Sequence, residues 1–166
     1  EKWTVNEHSD LYFSDNGKRV FFGTSLRPEP EPKDTLLEEE KVKLDLWSWK
    51  DDLLQPQQLK NLEKEKKRSY LAVYHIDEQK VVQLADTKVR EVKPILKGNG
   101  EVGIGFNYQP YQKLMSWEMP PYREVYWVDI RTGEKKMVRK KIQSHIDISA
   151  SGNYFYWFAY EDSSWH

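Results

Sequence analysis

Asp10-Leu-Tyr-Phe-Ser-Asp-Asn-Gly17, running on into Lys18-Arg-Val-Phe-Phe-Gly-Thr24, is the stretch on which the fold turns. An apolar run, an Asp-Asn-Gly turn and a second aromatic and β-branched run spell a β-hairpin, because glycine accepts the positive φ that a tight turn needs. The device recurs near the other end. His145-Ile-Asp-Ile148 passes through Ser149-Ala-Ser-Gly152 into Asn153-Tyr-Phe-Tyr-Trp-Phe-Ala-Tyr160. A weaker copy lies between them: Val92-Lys-Pro-Ile-Leu96, Lys97-Gly-Asn-Gly100, then Glu101 to Tyr108.

Hairpins of a second kind alternate with these. Tyr70 to Ile76 turns through Asp77-Glu-Gln-Lys80 into Val81-Val-Gln-Leu84, and Glu124 to Ile130 turns through Arg131-Thr-Gly-Glu134 into Lys135-Lys-Met-Val138. The order strand, glycine turn, strand, strand, polar turn, strand predicts one four-stranded antiparallel sheet per repeat. With the turn glycines aligned, 52 residues separate Gly100 from Gly152, but 83 separate Gly17 from Gly100. Two excursions account for the excess. One, near residues 27–41, carries Pro28, Pro30, Pro32 and Glu38-Glu39-Glu40; the other, near 51–69, contains the helical stretch Gln57 to Arg68, with Leu53, Leu54, Leu59 and Leu62 as a short apolar stripe. Without them the first unit approaches the ~40–50 residues of a propeller blade. The expectation is therefore all-β: residues 1–166 as a partial β-propeller of antiparallel four-stranded blades, about two blades plus the leading strands of a third, with one short inserted helix. A complete propeller needs at least four blades, so the chain is read as a fragment or as a part that assembles.

Composition agrees. Aromatics reach 14% while hydrophobics total 38%, below the ~45–50% usual for globular chains. Apolar surface is thus concentrated in large rings on short segments, which suits half-buried pleated strands. Lys and Arg number 26 against 27 Asp and Glu, a net charge of −1; a general nucleic-acid binder carries a basic excess, so none is expected. No apolar run reaches membrane-spanning length. The absence of cysteine excludes disulfides and thiolate chemistry. The opening at Glu1 rather than Met points to an excised or processed chain, and a periplasmic or exported location is favoured.

Several residues have a chemical look. Ser144-His145-Ile-Asp147 resembles a compressed hydrolase triad, but on a strand Ser144 points away from the face that His145 and Asp147 share. A nucleophile must lie within hydrogen-bond reach of its base, so a structural role is expected. As metal ligands His145 and Asp147 lack a third, and no metal or cofactor is expected. Gly98-Asn-Gly100 with Gly103 and Gly105 resembles a phosphate loop, yet alternating Val102, Ile104 and Phe106 continue as a strand, so these glycines read as close packing. Lys135-Lys-Met-Val-Arg-Lys-Lys141 reads as a charged strand that keeps a sheet edge from sticking to another. Trp47 and Trp49 lie two residues apart on one face of an expected strand. With Trp117, Trp127, Trp157 and Trp165 they read as packing between blades, with stacking on sugars as the alternative.

Leu44-Asp-Leu-Trp-Ser-Trp-Lys-Asp51, Gln55-Pro-Gln-Gln58, Tyr70-Leu-Ala-Val-Tyr74 and Val82-Gln-Leu-Ala-Asp86 together resemble the N-terminal β-propeller of bacterial serine peptidases of the prolyl oligopeptidase and dipeptidyl peptidase family. The Ser-x-x-Gly turns at Ser14–Gly17 and Ser149–Gly152 fit the blade pattern that this family shares with TolB-like propellers. The resemblance implies a non-catalytic role: the triad belongs to a C-terminal α/β-hydrolase domain absent from this chain, and the propeller gates and positions peptide substrate. It also implies paired acidic residues that hold a substrate's amino terminus. Glu161 and Asp162 are the candidate pair, with Glu38-Glu39 a second; neither lies in a copy of that family's aromatic-acidic motif. Trp47 and Trp49 complete the candidate substrate-binding residues, and no catalytic residue is expected. The partners implied are peptide and the hydrolase domain, and self-association is expected of an open fragment. A stand-alone TolB-like interaction propeller and an aromatic-faced carbohydrate-binding module are the alternatives.

Overall fold

Twelve strands in a computed structural model, which describes residues 3–27, 48–160 and 162–166, form three antiparallel sheets that follow one another along the chain. The first contains β1 (Trp3–Val5), β2 (Tyr12–Phe13), β3 (Arg19–Leu26), β4 (Tyr70–His75) and β5 (Lys80–Gln83). Both β1 and β2 pair with β3, whose residues Thr24 and Phe21 meet β4 on their other side. They are therefore one edge strand, interrupted where residues 6–11 loop out, and the sheet is a four-position meander. The second sheet runs β6 (Glu91–Pro94), β7 (Val102–Asn107), β8 (Arg123–Asp129) and β9 (Lys135–Ile142) in that order. The third begins the pattern again with β10 (Ile146–Ile148), β11 (Phe155–Ala159) and a short β12 (Ser164–Trp165). The fold is thus all-β, with one α-helix among the described residues, α1 (Gln55–Lys66), inserted between β3 and β4.

The corner turns explain why the three segments fold alike. Gly17, Gly98 and Gly152 have φ of 68°, 86° and 75°, values that cost a side-chain-bearing residue free energy. Each donates its N–H to the carbonyl three residues back: Ser14 (2.9 Å), Ile95 (3.0 Å) and Ser149 (2.8 Å). In the first and third sheets the serine hydroxyl also accepts the N–H five residues on, from Arg19 at 3.0 Å and from Tyr154 at 3.1 Å. The second corner has Ile95 where the others have serine, and its next strand pairs two residues later. The equivalent glycine there is Gly98, not Gly100 as the spacing suggested. Counting turn glycines could not see the two-residue insertion.

The sheets stack face to face. Phe21, Val73 and Val82 of the first sheet bury against Tyr126 and Val128 of the second, with Leu84, Ala85 and Val89 of the intervening connection. On the opposite face of the second sheet, Ile104, Phe106 and Val125 pack with Ile146, Phe155 and Trp157. Gly105 lets the first of these interfaces close, since a Cβ there would come within 2.7 Å of Val89; the close-packing reading of the β7 glycines holds. The joint repeats from sheet to sheet. Arg19 donates to the carbonyls of Gly98 (3.1 Å) and Gly100 (2.6 Å) and pairs with Glu101. Val102, which takes the place of Arg19 in the second sheet, packs against the third corner at Gly152. Farther along, His75 Nε2 meets the carbonyl oxygen of Ile130 at 3.1 Å.

Among the described residues no further sheet covers the outer faces. On the first sheet Val5 (71% exposed), Phe13 (60%) and Val81 (58%) share the face turned away from the second sheet, and on the third Trp165 and Tyr156 are exposed beside each other.

Candidate functional site

A meander places successive connections at alternate ends of its sheet. The glycine corners and polar hairpin turns lie at one end. The connections from second to third strand, which contain residues 48–69, 108–122 and 160–163, gather at the other. Trp49 and Asp162, the described members of the candidate substrate-binding set, are carried by connections at that end.

Ser48 to Asp51 form a turn rather than the expected strand: the Asp51 N–H donates to the Ser48 carbonyl at 3.0 Å. Helix α1 starts beyond it because Gln57 Oε1 accepts the Leu54 N–H (3.0 Å) and Pro56 fits the first turn, which has N–H groups to spare. Lys64 and Lys66 in the last turn suit the negative end of the helix dipole. The helix buries none of its residues, so the Leu53–Leu62 stripe does not face a core. It is instead tethered by charge. Arg68 donates to Glu65 through Nε at 2.7 Å, and that hydrogen bond above all holds the Glu65 carboxyl below its usual range. Arg90 approaches Glu65 at 3.9 Å, and Asn6 donates to the Arg68 carbonyl at 3.1 Å.

The 108–122 connection holds a 3-10 segment, Gln109–Ser116, that sequence patterning did not reveal. It meets the connection that contains residues 48–69. Lys113 pairs with Asp52 at 3.7 Å, and Trp49, Leu54 and Trp117 line a common cleft of about 190 Å³ with Asp51 and Asp52. Trp49 is 87% and Trp117 76% exposed. The expectation that these rings pack between blades is overturned for both, because each sits on a connection that projects past the sheets. It holds for Trp157, which packs against the core between second and third sheets. Trp47 and the Pro28–Glu40 excursion lie outside the described residues.

Of the acidic pair, Glu161 lies outside the described residues and Asp162 sits in the exposed turn before β12. Asp162 accepts the Ser164 N–H at 3.2 Å and lies 2.8 Å from His166 Nε2; the Ser164 and His166 contacts lower its pKa. Ser164 Oγ meets the same imidazole nitrogen at 3.0 Å. A triad needs serine and acid on opposite nitrogens of the ring, so this trio is a turn. Ser144, His145 and Asp147 separate as strand geometry requires. His145 and Asp147 line one cleft with Lys93 and Arg123, while Ser144 lines another beside Tyr122 and Trp157. Among the described residues no group of three or more His, Asp or Glu side chains is placed to hold a metal ion, and no helix is long and apolar enough to cross a membrane.

At the same end a buried carboxylate is fully engaged. Glu124 accepts from Asn107 Nδ2 (2.9 Å) and from the Tyr126 hydroxyl (2.8 Å). Burial, then this neighbouring carboxylate, pushes the Tyr126 phenol up to about 12. The trio locks the ends of β7 and β8.

No protein-family model, curated protein or solved structure matches this chain.

Proposed function

We propose that the chain is a segment of a β-propeller, about two blades and the start of a third, from a prolyl-oligopeptidase-like serine peptidase. In this reading it is non-catalytic and gates and positions peptide substrate for a separate α/β-hydrolase domain. One observation carries the propeller part: the four-position meander occurs twice and begins a third time, each copy opening on a glycine corner, with Arg19 against the second corner and Val102 against the third. The exposed apolar side chains on the outer faces of the first and third sheets, Val5, Phe13, Val81, Tyr156 and Trp165, support it, because a ring of blades covers such faces with further sheets. The peptidase part rests on the resemblance of residues 44–58 and 70–86. The end that gathers the three connections, with Trp49, Trp117 and Asp162, is the side that would face substrate.

The test compares the purified chain with the full-length gene product on short peptides. The expected result is no hydrolysis by the chain and hydrolysis by the longer protein, abolished by substitution of a serine encoded downstream. A full-length product that encodes no hydrolase domain overturns the peptidase reading.

A second reading is favoured by the exposed apolar side chains of the insertions, Leu54, Leu59, Leu62, Trp49 and Trp117. It is a propeller that binds a protein partner through its connections. Deletion of residues 53–68 should then abolish capture of that partner while leaving the β-sheet signal in circular dichroism intact.

A further inference from the structure

We propose that the cleft between β9 and the third sheet binds acidic peptide segments, held by Arg139, Lys140 and Lys141. The cleft, of about 340 Å³, is lined by these three cations together with Tyr122, Trp157 and Tyr160. Other cations of β9 are already occupied: Lys135 pairs with Asp86 at 2.8 Å and Lys136 with Glu134 at 3.4 Å. Among the described residues no carboxylate pairs with Arg139, Lys140 or Lys141. Three unneutralised charges beside one small cleft attract an anion.

The backbone is shaped for this placement. Two register shifts between β8 and β9, at Arg123/Val125 and Val125/Tyr126, give β9 extra residues. Bulges of this kind re-aim side chains, and here Arg139 stands opposite Val125, on the face toward the third sheet. Lys141 adopts φ 50°, a left-handed conformation that is unfavourable for a residue with a side chain. Rings then hold the cations in place. The Arg139 guanidinium lies 5.3 Å from the Trp157 centroid, and Lys141 Nζ lies 4.9 Å from that of Tyr122.

The same contacts select the ligand. Trp157 is engaged by Arg139, by the core and by His166, which stacks on it at 5.6 Å and 16°. Tyr160 remains as the exposed ring, and one ring is no platform for successive bases or sugars. By contrast, among the described residues β9 is the edge strand of its sheet and pairs only with β8, and such an edge offers backbone donors and acceptors to an added strand. An extended peptide laid along that edge would bring alternate carboxylates toward Arg139 and Lys141, where Arg offers a two-pronged hydrogen bond.

The inference stands apart from the peptidase reading, since the test uses the chain itself and reads no hydrolysis. Calorimetric titration at low salt compares a capped eight-residue peptide alternating Glu and Thr with its Gln-Thr counterpart, a dT oligonucleotide and a heparin hexasaccharide. The Glu peptide is expected to bind at least tenfold more tightly than the Gln peptide, and to bind more weakly as salt screens the charges. The double variant Arg139→Gln/Lys141→Gln should lose about tenfold in affinity, whereas Lys135→Gln should stay within twofold. No binding of the Glu peptide, equal binding of the Gln peptide, or tighter binding of oligonucleotide or heparin overturns the proposal. Should the double variant melt at a lower temperature, the Glu-against-Gln comparison on the parent chain decides alone.

Discussion

The inner face of the first sheet and its outer face use similar side chains to opposite effect. Phe21, Val73 and Val82 point inward and are at most 5% exposed, while Phe13, Val5 and Val81 point outward from the same sheet and are more than half exposed. The difference is not in the residues but in what lies opposite. The second sheet offers the inner face a complementary surface, with Gly105 lowering the ground beneath Val89. Among the described residues no second sheet covers the outer face, although Ala72 and Tyr70, on that same face, are buried. One sheet thus shows what a face covered by a second sheet looks like and what one without such a cover looks like.

The comparison breaks most severely at Phe21. Phe21→Ala empties a wholly buried site at the covered face, and urea unfolding should register a loss of about 3–5 kcal/mol. Arg19→Ala should cost less, about 2 kcal/mol. It strips the carbonyls of Gly98 and Gly100 of a buried donor, whereas the pairing with Glu101, which is largely exposed, adds little.

The outer face should respond differently. Phe13→Ser should change stability by no more than about 0.5 kcal/mol, yet shift sedimentation of the chain toward the monomer if that face drives self-association. An unchanged sedimentation profile would show that the outer face is inert. A smaller effect probes the polar margin of the joint, where Lys135 meets Asp86. Burial raises the Asp86 pKa, but the Lys135 contact and the Val89 and Lys88 amides outweigh it, so the folded value lies below the usual one. A depressed carboxyl contributes stability above its unfolded pKa, near ~4, and that contribution fades as pH falls through the folded value. Asp86→Asn should cost under about 1 kcal/mol at pH 7 and flatten the acid limb of the stability curve below pH ~4. Smallest of all in stability are Trp49→Ala and Trp117→Ala, since both rings stand in solvent. Their use is functional: a glycan panel that binds the parent and loses affinity in both variants would establish the sugar-stacking alternative, and a parent that binds no glycan removes it.

Strands, corners and the inserted helix were legible because each has a local cause. Alternating aromatics pleat, Gly17 and Gly152 accept positive φ, and Gln57 closes the start of α1. The second corner was misplaced by two residues because Gly98 and Gly100 look alike in sequence and both donate to the Ile95 carbonyl; the positive φ of Gly98 alone marks it as the corner. β1 and β12 were too short to carry a pattern. The site was less legible than the fold. Trp49 and Trp117 lie far apart in the chain and meet because two connections leave adjacent sheets at the same end. The cleft beside Arg139 depends on bulges whose register no periodicity reveals.

What this sequence determined alone is its pleated local structure and the recurrence of one sheet, since backbone conformation at turns and the two-residue period of strands are properties of near neighbours. Which faces were covered, which tryptophans stood in water and which cations lost their carboxylates were decided by the stacking of one sheet on the next, because burial and charge pairing depend on residues tens of positions away in the chain.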